Sequence, residues 1–420
     1  MKRKIILLLF LNLMLCMAAC GQQEQPAEMQ TDADTELVLD DEQVRKDIGE
    51  MLLVGFRGTA IDSQSHIVRD IKQYHVGSVI LFEYDAPTGG RHRNVSSPSQ
   101  LKKLCSDLQA LSDEPLFISI DQEGGMVTRM KAKDGFARTM TAKASARGGD
   151  DSVRRNAQVV AQELREAGVN LNFAPCVDVD INPACPVIGR LERSFSSDPE
   201  VVSRCAAIWL EEQRKQGVVS CLKHFPGHGS AKGDTHAGLV DVSRTWQDQE
   251  LEPYRKLIAE GKVDMVMVAH VICREMGDSL PASLSPKAIK QKLRGELGFQ
   301  GVVITDDLAM GAIVKQYGFE EALRLAIAAG SDLLCLSNNG NGRYDADLVP
   351  KAVEAIMRMV HEGRLSAQDI HAAAERVRRL KELRIERIEN WLPPSSHKSL
   401  ITSHYYDRII QTYTSQFVLH

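Results

Sequence analysis

Several common signatures are missing from this chain of 420 residues, and each absence removes a class of function. Lysine and arginine together (51) nearly match aspartate and glutamate (56), with both signs mixed throughout. No basic stripe exists to follow a phosphate backbone, so no nucleic-acid partner is expected. There is no Walker A sequence and no GxGxxG after a strand, which leaves nucleotide binding unsupported and no cofactor implied. Internal repeats and low-complexity tracts are absent from the body of the chain, and 43% hydrophobic with 25% charged residues describes one large globular domain. Nine cysteines occur without CxxC spacing. Beyond the N-terminal pair, the seven at 105, 176, 185, 205, 221, 273 and 335 are odd in number and sit in apolar contexts, which reads as core packing. Cys176 and Cys185 flank one loop and leave a single disulfide open. The apolar run Ile5 to Met17 is shorter than the ~20 residues a spanning helix needs.

That run belongs to a different device. Lys2-Arg3-Lys4, the apolar stretch and Ala18-Ala19 have the layout of a secretory leader. Met17-Ala18-Ala19-Cys20 resembles a bacterial lipobox, whose first position is usually Leu. Residues 1–20 are therefore expected to be a lipoprotein signal peptide and Cys20 the lipidated residue, anchoring the protein to a membrane of the cell envelope. Residues 21–36, rich in Gln, Asp, Thr and Glu, cannot bury enough apolar surface to fold and read as a tether. Gly21 and Gln22 lack the Asp of an inner-membrane retention signal, so a diderm source would imply the outer membrane, facing the periplasm.

From Met51 onward, short β-branched runs alternate with amphipathic segments, the pattern of a parallel α/β fold. Eight strands are expected at Met51–Phe56, Gly77–Phe82, Leu116–Ile120, Leu171–Ala174, Val218–Leu222, Met265–Ala269, Val302–Thr305 and Asp332–Leu336. Helical periodicity falls at Ser99–Leu111, Ser152–Glu166, Pro199–Lys215, Pro286–Leu297 and Glu320–Ala329. Two further helices, Asp347–His361 and Ser366–Arg387, would cover the barrel. The expectation is a single (β/α)8 TIM-type barrel over residues 37–390 with additional C-terminal helices and a tail at 391–420. Asp121, Asp178, Lys223, His270, Asp306 and Asn338 follow strands, and a barrel gathers such positions on one face. The segment from His224 to about Trp246 reads as a functional loop without strand or helix.

Two segments carry chemistry. Val302-Val303-Ile304-Thr305 ends abruptly in Asp306-Asp307, the way a buried strand delivers a rigid carboxylate to its end. Asp306 suits a nucleophile; Asp307, on the opposite side by strand alternation, suits a brace. Lys223-His224-Phe225-Pro226-Gly227-His228-Gly229 is followed by Asp234-Thr235-His236, where a carboxylate can orient and charge an imidazole into a proton donor. Lys223 and His224 suit binding of hydroxyl groups, and His228, between two glycines, suits a tight turn. A zinc set of His224, His228, Asp234 and His236 exists only on paper, because it would leave the Asp306 motif without a role. No metal is expected.

With these residues placed, the sequence resembles glycoside hydrolase family 3, in its β-N-acetylglucosaminidase branch, from about Asp40 to Arg387. The resemblance rests on Ile120-Asp121-Gln122-Glu123-Gly124-Gly125 with Val127 and Arg129, Asn172-Phe173-Ala174-Pro175 with Asp178, Arg193-Ser194-Phe195, Lys223 through Gly229, Asp234-Thr235-His236 and Thr305-Asp306-Asp307-Leu308. It implies Asp306 as catalytic nucleophile and His236 as loop-borne acid/base partnered by Asp234. Asp121, Arg193, Lys223 and His224 would hold the terminal sugar, and the role of Arg129 stays open. The implied reaction is retaining removal of terminal β-linked N-acetylglucosamine from peptidoglycan fragments or amino-sugar oligosaccharides, by a monomer. Phosphorolysis, a β-glucosidase or β-xylosidase specificity, and a non-catalytic sugar-binding lipoprotein are the alternatives. The segment Gly189–Arg193 is longer than the family's usual spacing before Arg-Ser-Phe.

Overall fold

The computed structural model describes residues 39–234, 238–340 and 342–385, apart from the side chain of Ala312. The expectations for the leader, Cys20, the tether, His236 and the tail lie outside the described residues. Eight parallel strands alternate with helices: β1 Leu52–Gly55, β2 Ser78–Ile80, β3 Phe117–Ile120, β4 Leu171–Asn172, β5 Val219–Phe225, β6 Met265–Val268, β7 Val302–Thr305 and β8 Leu334–Leu336. They are hydrogen-bonded in the order β7-β6-β5-β4-β3-β2-β1-β8. A parallel bridge between Ile304 and Leu333 joins the two ends into a barrel, supported by the Thr305 amide donating to the Leu333 carbonyl at 3.1 Å. Each strand is buried along its whole length, which is why the sequence shows continuous apolar runs here instead of alternation.

Helices form where capping and periodicity agree. Pro199–Lys215 starts with Pro in its first turn, the Asp198 side chain accepts from the Glu200 amide at 2.9 Å, and Arg214 and Lys215 complement the C-terminal dipole. Asp41–Glu50, His66–Tyr74 and Glu252–Ala259 were not anticipated from the sequence; at ten, nine and eight residues they are too short for periodicity to emerge. Lys287–Glu296 is helical as expected, but with π pitch. Among the described residues no helix is long and apolar enough to cross a membrane.

Register decides what fills the barrel. Leu53, Ile80, Phe117, Leu171, Val219, Cys221, Met265, Met267, Val302, Ile304 and Cys335 form an inner cluster, separate from the larger one between strands and helices. Val377, Leu380 and Ile385 extend the inner cluster at the strands' N-terminal mouth, so the C-terminal helix Ala367–Arg384 plugs that end. Acids just before the strands hold it there. Arg376 meets Asp332 at 2.8 Å, Arg384 meets Asp264 at 2.8 Å, and Lys381 meets Glu50 at 2.5 Å.

All seven described cysteines are free and buried, so the pairing left open for Cys176 and Cys185 is not made. The Cys176 thiol donates to Asp178 Oδ2 at 3.2 Å, and the Cys185 thiol to the His228 carbonyl at 3.6 Å.

Candidate active site

The inward-facing parity of the core continues past it into the open mouth. Two residues beyond Ser119, Cys221, Ile304 and Cys335, the same face of the barrel carries Asp121, Lys223, Asp306 and Ser337. All four line a cavity of about 380 Å³ at the strands' carboxyl ends, together with Arg129, Arg193, His224, His228, Asp234 and an apolar wall that includes Val127, Val187 and Leu191. His224 would face outward by strict alternation. A register shift between Leu222 and Phe225 re-aims it into the cavity. The structure thus gathers every described site residue the sequence singled out, while His236 lies outside the described residues.

One correction concerns Lys223. The sequence reading ended the strand at Leu222, but β5 runs to Phe225, and the Lys223 side chain, although it lines the cavity, is almost wholly buried. Its ammonium sits between Asp121 Oδ1 at 2.7 Å and Glu123 Oε1 at 2.6 Å. Burial alone would lower its pKa, but the two carboxylates overcome that and raise it. Burial would likewise raise Asp121 and Glu123; Lys223 and Arg129 hold Asp121, and Arg193 and Lys223 hold Glu123, well below the usual carboxylate range. Arg129 reaches Asp121 Oδ2 at 3.2 Å and Glu83 at 3.6 Å.

Arg193 links this cluster to the histidine. Its Nε and Nη2 donate to Glu123 at 2.8 and 2.7 Å, Nη1 donates to the Val187 carbonyl at 2.9 Å, and Nη2 also lies 3.1 Å from His224 Nε2. Because guanidinium only donates, Nε2 must accept, and the ring proton resides on Nδ1, 2.6 Å from Asp178 Oδ2. Asp178 also accepts from the amides of His224 (3.3 Å) and His228 (2.8 Å). Although buried, it is held well below the carboxylate range by His224. The neighbouring His228 ring is pushed down to about 4, chiefly by burial, so it is a neutral turn residue near pH 7.

Asp306 and Asp307 divide as alternation requires. The half-buried Asp306 is fixed by its amide on the Val268 carbonyl at 2.9 Å, and its Oδ1 accepts from the Asp307 amide at 2.8 Å. Asp307 instead accepts from the Ser337 amide at 3.0 Å and the Ala309 amide at 3.1 Å, bracing β7 to β8; burial raises its pKa. His270 and Asn338 are braces as well: His270 contacts Ser283 Oγ and the Asp307 carbonyl at 2.6 and 2.9 Å, and Asn338 pairs with the Asp345 backbone. The loop after β5 carries Asp234 into the cavity wall. It is not wholly irregular, since Val240–Asp241 pairs with Val271–Ile272. The long segment before Arg193 is pinned by Thr141 Oγ1 to Glu192 at 2.9 Å, which sets Leu191 in the cavity wall.

Among the described residues, Cys176, Asp178 and His224 bring donor atoms within 4.8 Å of one another. The thiol proton and the Nδ1 proton both point at the Asp178 carboxylate, and Arg193 occupies the far side of the ring. Those contacts already satisfy the donor set without a cation.

Residues 43–380 match the model described as "Glycosyl hydrolase family 3 N terminal domain". The chain belongs to glycosyl hydrolase family 3. It is 35% identical over 297 residues to a protein of Tolumonas auensis named beta-hexosaminidase, covering 69% of this chain and 84% of that one. Among solved structures, it resembles the family 3 beta-N-acetylglucosaminidase of a Paenibacillus species (TM-score 0.73, 35% identity, 87% of this chain and 65% of that one). It also resembles a beta-N-acetylhexosaminidase of Beutenbergia cavernae (TM-score 0.70, 26% identity, 83% and 99%).

Within this family 3 barrel, sequence reasoning gave no role to Glu123 or Asp178, although Glu123 holds Lys223 and Arg193 and Asp178 holds His224 and the His228 amide. A signal was available. A lysine inside a buried strand demands paired carboxylates, and Asp121-x-Glu123 at another strand's end supplies two.

Proposed function

We infer that this protein is a retaining exo-β-N-acetylglucosaminidase of the cell envelope, acting on terminal β-linked N-acetylglucosamine of peptidoglycan fragments or amino-sugar oligosaccharides. The observation that carries the reading is the sharing of one cavity by strand-borne Asp306, loop-borne Asp234 and the Asp121–Lys223–Arg193–His224 cluster. Relatives named beta-hexosaminidase and family 3 structural neighbours support the amino-sugar class.

In this reading the Asp306 carboxylate attacks the anomeric carbon while the leaving oxygen takes a proton from the His236 imidazolium, whose charge Asp234 favours. The glycosidic bond breaks and a glycosyl ester forms. Neutral His236 then takes a proton from water, whose oxygen displaces Asp306, and two inversions give retention. Lys223 and Arg193 donate to the sugar hydroxyls and Asp121 accepts from them. The ion pairs of Lys223 with Asp121 and of Arg193 with Glu123 hold them in place before substrate arrives, so little reorganisation is needed on binding. Lipidation of Cys20 would tether the monomeric enzyme to the membrane.

Release of nitrophenol from the N-acetylglucosaminide against the glucoside tests the specificity. Faster hydrolysis of the glucoside rejects it. Partition of a Cys20→Ser protein into the detergent phase of Triton X-114 would reject the anchor.

A further inference from the structure

The loop assigned above to the proton donor begins and ends on one buried carboxyl group. Glu250 lies in the 3-10 turn Asp248–Leu251, directly after that loop, with no exposed surface. Its Oε2 accepts from the Ser230 amide at 3.3 Å and its Oε1 from the Gln247 amide at 3.2 Å. Ser230 belongs to the turn that follows Lys223 and His224, and Gln247 closes the loop's far stem. Beside them Trp246 Nε1 donates to the Pro226 carbonyl at 3.1 Å, a second tie between the same two stems. Gly227 is shaped for this contact. It has φ +129°, and a Cβ there would lie 2.7 Å from Glu250 Cβ and 2.8 Å from Oε2.

We propose that Glu250 is a positioning residue for the reaction assigned above: its carboxylate clasps the two stems of the loop bearing Asp234 and thereby fixes the turn that follows His224 and bears His228. The proposal rests on that assignment.

Two carboxylates grip this turn from different sides, and their surroundings differ. Asp178, paired with His224, stays ionised throughout the neutral range. Glu250 meets amide donors but no ion-paired cation among the described residues, and burial, with a smaller contribution from the Asp178 charge, pushes it up to about 7. The titratable groups around it are Asp178 across the turn and the buried Tyr254 on helix Glu252–Ala259, whose phenol is raised far out of range. His228 on the clasped turn is neutral over the same interval. An ionised carboxylate accepts both amides, whereas the protonated acid turns one oxygen into a donor and loses one of them. The clasp therefore closes as pH rises through about 7, opposite in direction to a general acid, which loses its proton as pH rises.

The test uses the full chain and compares kcat/KM from about pH 5.5 to about pH 8.5 for a chitobiose-type disaccharide and a dinitrophenyl N-acetylglucosaminide. Wild-type turnover of the disaccharide should be bell-shaped, with a rising limb near neutrality from the clasp and a falling limb from the general acid. Glu250→Gln, whose amide accepts only one of the two N–H groups, should lose that rise and fall about tenfold on the disaccharide at the alkaline end, with a smaller loss on the activated glycoside. Glu250→Asp, which keeps the charge, should restore the inflection at a reduced rate. A Glu250→Gln enzyme with the wild-type profile overturns the proposal, as do equal losses on both substrates. So does a wild-type disaccharide profile with no rising limb on the acid side of its maximum, a result independent of whether any variant folds. No turnover of either substrate by the wild type is a separate outcome that overturns the functional assignment and the proposal with it.

Discussion

Each mouth of the barrel holds a buried lysine, and the two are treated differently. Lys223, beside the open cavity, has two carboxylate partners, and its pKa is raised despite burial. Lys381, in the plug at the opposite mouth, has Glu50 at 2.5 Å and the Gly77 carbonyl at 2.8 Å, with the Phe117 ring centre 5.4 Å away. With one carboxylate, burial prevails and its pKa is lowered. At the plug, charges join a helix to strand entrances. At the cavity, two carboxylates, a lysine and two arginines are interlocked where packing would need none of them. Surplus buried polarity that still faces space marks the working end.

The strongest challenge to that contrast is Asp306→Asn. A half-buried strand-end carboxylate outside the core should be dispensable for folding, so activity on the nitrophenyl N-acetylglucosaminide should fall more than about a thousandfold with little change in Tm. Near-normal turnover, or a fluoro-sugar label found on another residue, would remove Asp306 from the nucleophile's role.

The lysines themselves come next. Lys223→Met breaks two buried ion pairs, with Asp121 and Glu123, although Arg129 and Arg193 remain beside those carboxylates; Lys381→Met breaks only the pair with Glu50 and removes an ammonium whose charge burial already disfavours. Urea midpoints should show a loss of about 3–5 kcal/mol for the first and less for the second. Only Lys223→Met should also raise KM. Equal stability losses, or an altered KM for Lys381→Met, would mean that the two ends are not functionally distinct.

His236→Ala sharpens the cavity side further. A proton donor matters where the leaving oxygen is basic, so the loss should be much larger on a chitobiose-type disaccharide than on a dinitrophenyl glycoside, with Asp234→Ala following less steeply. Equal losses on both substrates would leave the dyad a loop-structuring role.

The same contrast explains what could be read from the sequence. Strand positions were legible because burial on both faces writes continuous β-branched runs, and Asp121 and Asp306 were legible because each ends one. Lys223 and His224 broke the apolar run and so concealed the last three residues of β5, although they are as buried as the rest of it. Glu123 and Asp178 were given no role because their importance lies in partners brought from distant positions: Glu123 meets Arg193 across 70 positions, and Asp178 meets His224 across 46. The plug helix was foreseen as a cover for the barrel, but its ion pairs with Asp332, Asp264 and Glu50 depend on which residues precede each strand in three dimensions.

The smallest effect separates two carboxylates on a single turn. Asp178 has a folded pKa below its unfolded value of about 3.9, so its stabilisation is present above that pH and is lost as pH falls through the folded value. Asp178→Asn should therefore lower Tm at neutral pH, and the deficit should shrink in strong acid. Glu250 is the reverse case. Its folded value of about 7 lies above an unfolded value of about 4.3, so its contribution is fully present below the latter and is lost as pH rises through the former. Moving from about pH 5 to about pH 8, the wild type must ionise a buried carboxyl that Glu250→Gln does not have, and the variant should gain Tm relative to the wild type even while its disaccharide turnover falls. Paired thermal melts at the two pH values measure this directly. A Tm difference that stays constant between them would mean that Glu250 keeps one protonation state throughout, and the turn would then be held by Asp178 and Glu250 in the same way instead of by one fixed and one adjustable carboxylate.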